Sequence, residues 1–228
     1  MSQALVEAAE TAEPETLDWL RCGNVGDVFY DVGASNGVFA LYAAAVRDMR
    51  VVAFEAEAQN YALLETNLYL NRAETGVRPR AFCIAAGQTL GASEMYCMRN
   101  APGFHTKILG RPVRVGETAE FMPDHVQSVL TLPLDEAIRL FGLPVPSMLK
   151  IDVDGAEAEV IAGAHNLLSR PELRSILIEL VDTGGSRAAI TAEIESLGFI
   201  LEAAYPVRHL RGGYYDGLFN CVFRRNHG

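Results

Sequence analysis

The chain has 228 residues, half of them hydrophobic and 21 % charged, which suits a folded protein and excludes a disordered one. Nineteen Lys and Arg stand against 29 Asp and Glu, a formal net charge of −10. That balance excludes the broad cationic surface by which proteins hold nucleic acid or an anionic membrane, and leaves a small molecule or a protein as partner.

The first twenty residues have no basic n-region, and the longest apolar run, Val38 to Val46, is nine residues against the ~20 that span a bilayer. A cytoplasmic protein is expected. Cys22, Cys83, Cys97 and Cys221 form no C-x-x-C pair and read as reduced, mostly buried thiols.

The stretch up to about Gly23 is acidic and helical, with Leu17 and Leu20 on one face, as a lid or a packing accessory. VFYDVG (28–33) is an apolar run stopped by glycine, a buried strand. VFALYAAAV (38–46) has the small-residue content of a helix packed on a sheet, and RVVAFE (50–55) is a second strand. Residues 58–71 place Tyr61, Leu64 and Leu68 on one helical face, and AFCIAA (81–86) is a third strand. From about 88 to 128 the chain is rich in Gly, Pro and polar residues, with strand-like pieces at 93–98 and 128–132. Hairpins and loops over the active edge are expected there.

Alternation then resumes. Residues 133–141 form a helix and 147–153 a strand. Val160, Ile161, Ala164, Leu167 and Leu168 mark one amphipathic helix, and RSILIELV (174–181) is a buried strand. A helix carrying Ile190, Ile194 and Leu197 is capped by Ser186 and stopped by Gly198. FILEAA (199–204) and LFNCVF (218–223) close the chain as strands, antiparallel because their connection is short. The pattern predicts an α/β fold: a Rossmann-like open sheet, mostly parallel with a final antiparallel strand, and helices on both faces. Ligands of such sheets lie beyond the carboxyl ends of the strands, where strand order reverses.

DVGASNG (31–37) follows the first strand and opens the first helix. Gly33 and Gly37 are spaced G-x-x-x-G, whereas the dinucleotide fingerprint needs a glycine where Ser35 stands. Asp31 would repel a pyrophosphate but suits a cation such as the amine or sulfonium of S-adenosylmethionine. Glu55 ends the second strand 22 residues after Gly33, where a carboxylate can accept the ribose hydroxyls of an adenosine.

These motifs, with AFEAE (53–57), TNLYLN (66–71), LKIDVDGAE (149–157) and LIEL (177–180), resemble the FkbM family of class I S-adenosylmethionine-dependent methyltransferases. The resemblance covers about residues 27 to 223, LKIDVDGAE being its most specific piece. It departs at Ser35, where Asn is common, and at Ala56, where Pro is common. It implies a methyltransferase domain over residues 27–228 behind a helical extension at 1–26. By the resemblance, Asp31, Gly33, Ala34, Ser35, Asn36 and Gly37 hold the methionine part of the cofactor and Glu55 the ribose. Ala56, Asn60, Ala85 and Ala86 lie near the adenine, Asn60 being equally readable as a solvated helix-start residue.

Methyl transfer to an alcohol needs a group that takes the hydroxyl proton. Asp152 ends its strand at the cleft and is a candidate for both cofactor and catalysis. Asp154 and Glu157 follow at once and also suit the start of the next helix. Glu179, inside an apolar run, needs a partner: Lys150, or a place in the cleft beside Asp152. If Asp152 and Glu179 converge they could bind Mg²⁺. His105 and His209 are the histidine candidates for general base. Tyr214 and Tyr215, in RGGYYDG (211–217), could stack on an acceptor. The reading is an O-methyltransferase acting on a small-molecule hydroxyl, the resemblance implying a sugar, glycoconjugate or polyketide. N-methylation on the same fold, an NAD-binding oxidoreductase and a non-catalytic cofactor binder are the alternatives, and self-association is left open.

Overall fold

The computed structural model describes residues 13–75, 79–104, 106–114, 117–182, 184–208 and 214–226. The chain runs α1 (Pro14–Arg21), β1 (Val28–Val32), α2 (Val38–Ala45), β2 (Arg50–Phe54), α3 (Ala58–Leu70), β3 (Arg80–Phe82), β4 (Ala85–Ala86), β5 (Gly91–Cys97) and β6 (Lys107–Leu109). It continues through β7 (His125–Leu132), α4 (Leu134–Phe141), β8 (Met148–Ile151), α5 (Glu157–Ala162), α6 (His165–Leu168), β9 (Ser175–Val181), α7 (Ser186–Ser196), β10 (Phe199–Arg208) and β11 (Tyr214–Arg225).

The main sheet has seven strands in the order β10-β11-β9-β8-β1-β2-β3. All are parallel except β11, which is antiparallel to both β9 and β10. The expected antiparallel pair is present, with the last strand inserted one place inward. Strand order reverses between β1 and β8.

Side chains on successive strand residues point to opposite faces, and the two apolar layers show it. Tyr30, Val52, Ile178 and Phe223 pack with Ala137, Val160, Leu167 and Ile194, so α4 to α7 cover one face. Phe29, Val51, Leu177 and Val222 pack with Leu17, Leu41 and Leu64, so α1 to α3 cover the other. The helix α1 is a packing element. Trp19 meets Phe29 edge-on at 6.0 Å between ring centroids, and its indole Nε1 donates to Ser175 Oγ at 2.7 Å.

Five expectations change. The third strand splits: β3 pairs with β2, while Ala85 and Ala86 join β7 in a second sheet, β4-β7-β5-β6. Much of the middle segment is therefore sheet, because β5 and β7 pair antiparallel over seven residue pairs. The single helix through Val160 to Leu168 breaks in two at Gly163, where a Cβ would stand 2.0 Å from the Gly87 carbonyl oxygen. Ser186 does not cap α7. Gly185 does, and the Ser186 hydroxyl donates to the Val181 carbonyl at 2.9 Å. The cysteines divide evenly, Cys97 and Cys221 buried, Cys22 and Cys83 exposed. Among the described residues no helix is long and apolar enough to cross a membrane.

Candidate functional site

A cavity of about 580 Å³ opens at the carboxyl ends of β1, β2, β8 and β9, within the ~300–1,000 Å³ usual for small-molecule sites. Gly33, Ala34, Ser35 and Asn36 form one wall, and Glu55, Ala56, Asn60, Ala85 and Ala86 another. Asp152 and Glu179 face it from the β8 and β9 ends.

The chain must cross itself tightly at the reversal. The Asp152 N–H donates to the Val32 carbonyl at 2.9 Å, and a Cβ on Gly33 (φ 84°) would lie 1.7 Å from the Asp152 carbonyl oxygen. Only glycine fits there. Gly37 does not line the cavity. It caps α2 in the left-handed conformation, where a Cβ would meet Leu64 Cδ1 at 2.3 Å. Its place is helix packing. The loop between them is held by Asn67, whose side chain donates to the Asn36 carbonyl at 2.8 Å.

Glu55 receives the Ser35 N–H at 2.7 Å on one oxygen and the Glu57 N–H at 2.8 Å on the other. Burial pushes its carboxyl up to about 7, against the pull of those two donors. Each oxygen keeps a further lone pair for a ligand hydroxyl. Ser35 pays for its donation with φ 49°, a left-handed conformation that Asn tolerates better.

Asp31 does not reach the cavity wall. It is fully buried, and neither carboxylate oxygen makes a well-aligned hydrogen bond among the described residues. Burial raises it to about 6, with the Lys150 ammonium opposing. Asp31 and Lys150 are register partners on β1 and β8. Lys150, 1 % exposed, donates to Asp152 at 2.6 Å and lies 5.0 Å from the Phe39 ring centroid. Burial works against its charge, but Asp152, Glu13 and Asp31 together hold the ammonium protonated far above neutral pH.

The Lys150 alternatives for Glu179 thus resolve. Lys150 bonds Asp152, and Glu179 faces the cavity. Burial first, then Asp152 and Glu13, hold Glu179 well above the ordinary carboxylate range. Among the described residues no three His, Cys, Asp or Glu side chains stand close enough to hold a metal ion. Of the expected Mg²⁺ pair, Asp152 is instead engaged by the Lys150 ammonium.

Glu157 accepts the Gly155 N–H at 3.0 Å and opens α5, a structural place, and burial raises it to about 7. Asp154 (φ 53°) accepts the N–H groups of Thr106 and Lys107, both at 3.2 Å. It ties the second sheet to the β8 end. Asn60 is buried, not solvated, and accepts the Gly103 N–H at 2.7 Å. His105 and His209 lie outside the described residues. Tyr215 and Asp216 border the cavity.

Three features escaped sequence reading. Glu57 caps α3 through the N–H groups of Gln59 and Asn60 and forms a buried ion pair with Lys107. Gln127 donates to the Ala56 carbonyl at 2.8 Å and accepts from Ala58 N–H at 3.0 Å. Glu13, at the head of α1, lines the cavity. Lys107 stands 50 residues from Glu57, and Gln127 stands 69 and 71 residues from Ala58 and Ala56, beyond local patterns; the acid just before α3 was the one available signal.

The sheet order, the crossing at the reversal and the acid at the second strand end define the class I methyltransferase fold. Solved structures share it: a methyltransferase FkbM from Methylobacillus flagellatus KT (TM-score 0.58, 16 % identity, covering 87 % of this chain and 43 % of that one) and magnesium protoporphyrin IX methyltransferase from Synechocystis PCC 6803 (0.56, 11 %, 99 % and 86 %). The chain spans less than half the length of the first. In sequence it is 29 % identical over 198 residues to 31-O-demethyl-FK506 methyltransferase FkbM of Streptomyces tacrolimicus, covering 78 % of this chain and 74 % of that one. It is 30 % identical over 190 residues to methyltransferase sdnD of Sordaria araneosa, covering 74 % and 72 %. The profile of the methyltransferase FkbM domain matches residues 31–202. The chain belongs to the FkbM family of S-adenosylmethionine-dependent methyltransferases.

Proposed function

We propose that the chain methylates a hydroxyl of a small molecule, of the sugar, glycoconjugate or polyketide kind. The observation that carries this is the single cavity in which the Gly33–Asn36 loop and Glu55 lie opposite two strand-end carboxylates, Asp152 and Glu179. The relative named 31-O-demethyl-FK506 methyltransferase supports transfer to an oxygen.

The residues fit S-adenosylmethionine. Gly33 lets the loop after β1 pass against the Asp152 backbone at the cavity wall, Glu55 has lone pairs free, and the orphaned Asp31 carboxylate with Asp152 favours positive charge nearby. When bound, that cofactor supplies an electrophilic methyl group on a sulfonium. In this reading Gly33, Ala34, Ser35 and Asn36 hold its methionine part, with Asp31 and Gly37 behind them. Glu55 takes the ribose, and Ala56, Asn60, Ala85 and Ala86 flank the adenine. Asp152, fixed by Lys150, orients the acceptor end. Glu179 takes the hydroxyl proton, a raised carboxylate being the better base near neutrality. His105 and His209 are the rivals for that role, and replacing each by Gln separates them. Residues 27–228 form the catalytic unit behind an extension at 1–26, in a cytoplasmic enzyme that binds neither nucleic acid nor membrane.

N-methylation has one observation in its favour, since the acidic acceptor end also suits an amine. Titration calorimetry tests the reading. S-adenosylmethionine and S-adenosylhomocysteine should bind and NAD should not. Binding of NAD with neither sulfur ligand overturns it.

A further inference from the structure

The second sheet presents its inward face to the turn that follows β2. Met95, Cys97 and Val129 form a buried cluster there with Ala85, and Ala56 packs against it. Gln127 lies two residues before Val129, on the same face of β7, opposite Met95 in register. Its side-chain amide reaches across to the turn. Nε2 donates to the Ala56 carbonyl at 2.8 Å, and Oε1 accepts the N–H of Ala58, the first residue of α3, at 3.0 Å. One partner offers only lone pairs and the other only a proton, so together they fix which way the amide faces. The Cys83 thiol, 3.8 Å from the same carbonyl, is a weak second donor. The Ala56 carbonyl and the Glu57 N–H are the two ends of one planar peptide unit. That N–H donates to Glu55 Oε1 at 2.8 Å. Gln127 and Glu55 therefore hold opposite ends of the same peptide, and each bond polarises it in the sense that strengthens the other. The Glu57 side chain is fastened separately, to Lys107 of β6 and to the Gln59 and Asn60 N–H groups.

We propose that Gln127 is a positioning residue for cofactor binding: it orients the Ala56–Glu57 peptide so that Glu55 presents its remaining lone pairs to the ribose hydroxyls. This rests on the reading of Glu55 as the ribose acid and extends it to a strand of the second sheet. Gln127 does not line the cavity, so it acts through Glu55 and not on the ligand. A carboxylate facing a diol gains most when each oxygen meets one hydroxyl. A fixed rotation about its Cγ–Cδ bond secures that arrangement, and a free rotation dilutes it. Here the Ser35 N–H holds one oxygen at 2.7 Å and the Glu57 N–H holds the other. Without the Gln127 donor the peptide can turn about the bonds on either side of it, and its N–H ceases to restrain Oε1. The second sheet then does more than cover the cavity, since it supplies the group that sets the ribose acid.

The test needs no acceptor. The full chain is titrated calorimetrically with S-adenosylhomocysteine and with its 3′-deoxyribose analogue. Wild type should bind the analogue more weakly, because Glu55 then lacks one hydroxyl partner. Gln127→Met keeps the length of the side chain and removes both polar groups. It should weaken S-adenosylhomocysteine about fivefold, the usual worth of one hydrogen bond, and the deoxy analogue by less than about twofold. In Glu55→Gln, adding Gln127→Met should bring less than about twofold further loss, since the two residues act as one unit. A melting curve accompanies each variant, and Gln127→Leu carries the same expectations if the methionine variant is unfolded. Equal weakening of both ligands, weakening of neither, or losses that add in the double variant would overturn the proposal. A wild type that binds both ligands alike removes the ribose role of Glu55 and the proposal with it. A wild type that binds neither overturns the underlying methyltransferase reading, and the first titration tells that failure from the others.

Discussion

Asp31 is a carboxylate held dry and without a strong donor, beside a lysine that serves another acid. Its folded value, about 6, lies above the ordinary 3.8, so the fold binds its proton more tightly than the unfolded chain does. The sign follows: its contribution is fully present below about pH 4 and is lost as pH rises through 6. The loss is at most roughly 3 kcal/mol. Asp31→Asn should therefore reduce the stability difference between pH 5 and pH 8, measured by urea unfolding at each pH; an unchanged difference would contradict this account. Glu55 makes a second prediction. Gln at this position has one acceptor oxygen for two backbone donors and no charge, so Glu55→Gln should weaken S-adenosylmethionine binding about tenfold or more. Calorimetry measures it, with a melting curve to show the fold intact. Both acids were legible in the sequence, because each ends a short apolar run just before a turn. Their surroundings were not. Burial separates Asp31 from the cavity while Glu55 stays on its wall, and spacing carries no information about depth.

At the scale of elements, particular side chains tie the second sheet to the first. Asp154 holds Thr106 and Lys107, Asn60 holds Gly103, and Glu57 holds Lys107. Removing one attachment should loosen the cover locally. Asp154→Ala should speed amide hydrogen exchange around β6 while the melting temperature changes little. The helix α1 behaves oppositely, since Trp19 is buried in the main core. Trp19→Ala should cost about 3–5 kcal/mol by the rule for large core deletions, read as a lowered urea midpoint. The order and type of the main-sheet elements could be read from hydrophobic period. The break at Gly163 and the departure of Ala85 and Ala86 into another sheet could not. Each is set by backbone that approaches from elsewhere in the chain, Gly87 in one case and β7 in the other.

Across the whole molecule, the acidic excess is partly gathered at one edge. Asp152, Glu13 and Asp31 act together on one buried lysine, Lys150, whose ammonium is paired with Asp152. Exhaustive chelation should leave the affinity for S-adenosylmethionine unchanged, measured by calorimetry before and after EDTA and dialysis. A loss of affinity restored by Mg²⁺ would reverse that conclusion. The same arrangement accounts for an N-terminal helix with an acidic head and an apolar body, since one helix must meet both that lysine and the core beside it.

By itself the sequence determined the α/β architecture, the antiparallel ending, the cofactor-loop pattern and the acid at the second strand end. These are local: apolar period, glycine spacing and the residue that ends a strand are all written within about ten positions. Only the tertiary structure decided which acids meet. Lys150 chooses Asp152 over Glu179, Asp31 lies behind the wall, Gly37 serves packing, and Glu13 crosses from the first helix to the far strands. Those outcomes depend on register, on which face each side chain takes and on how much water each group loses, quantities set by the packed sheet and its helices together.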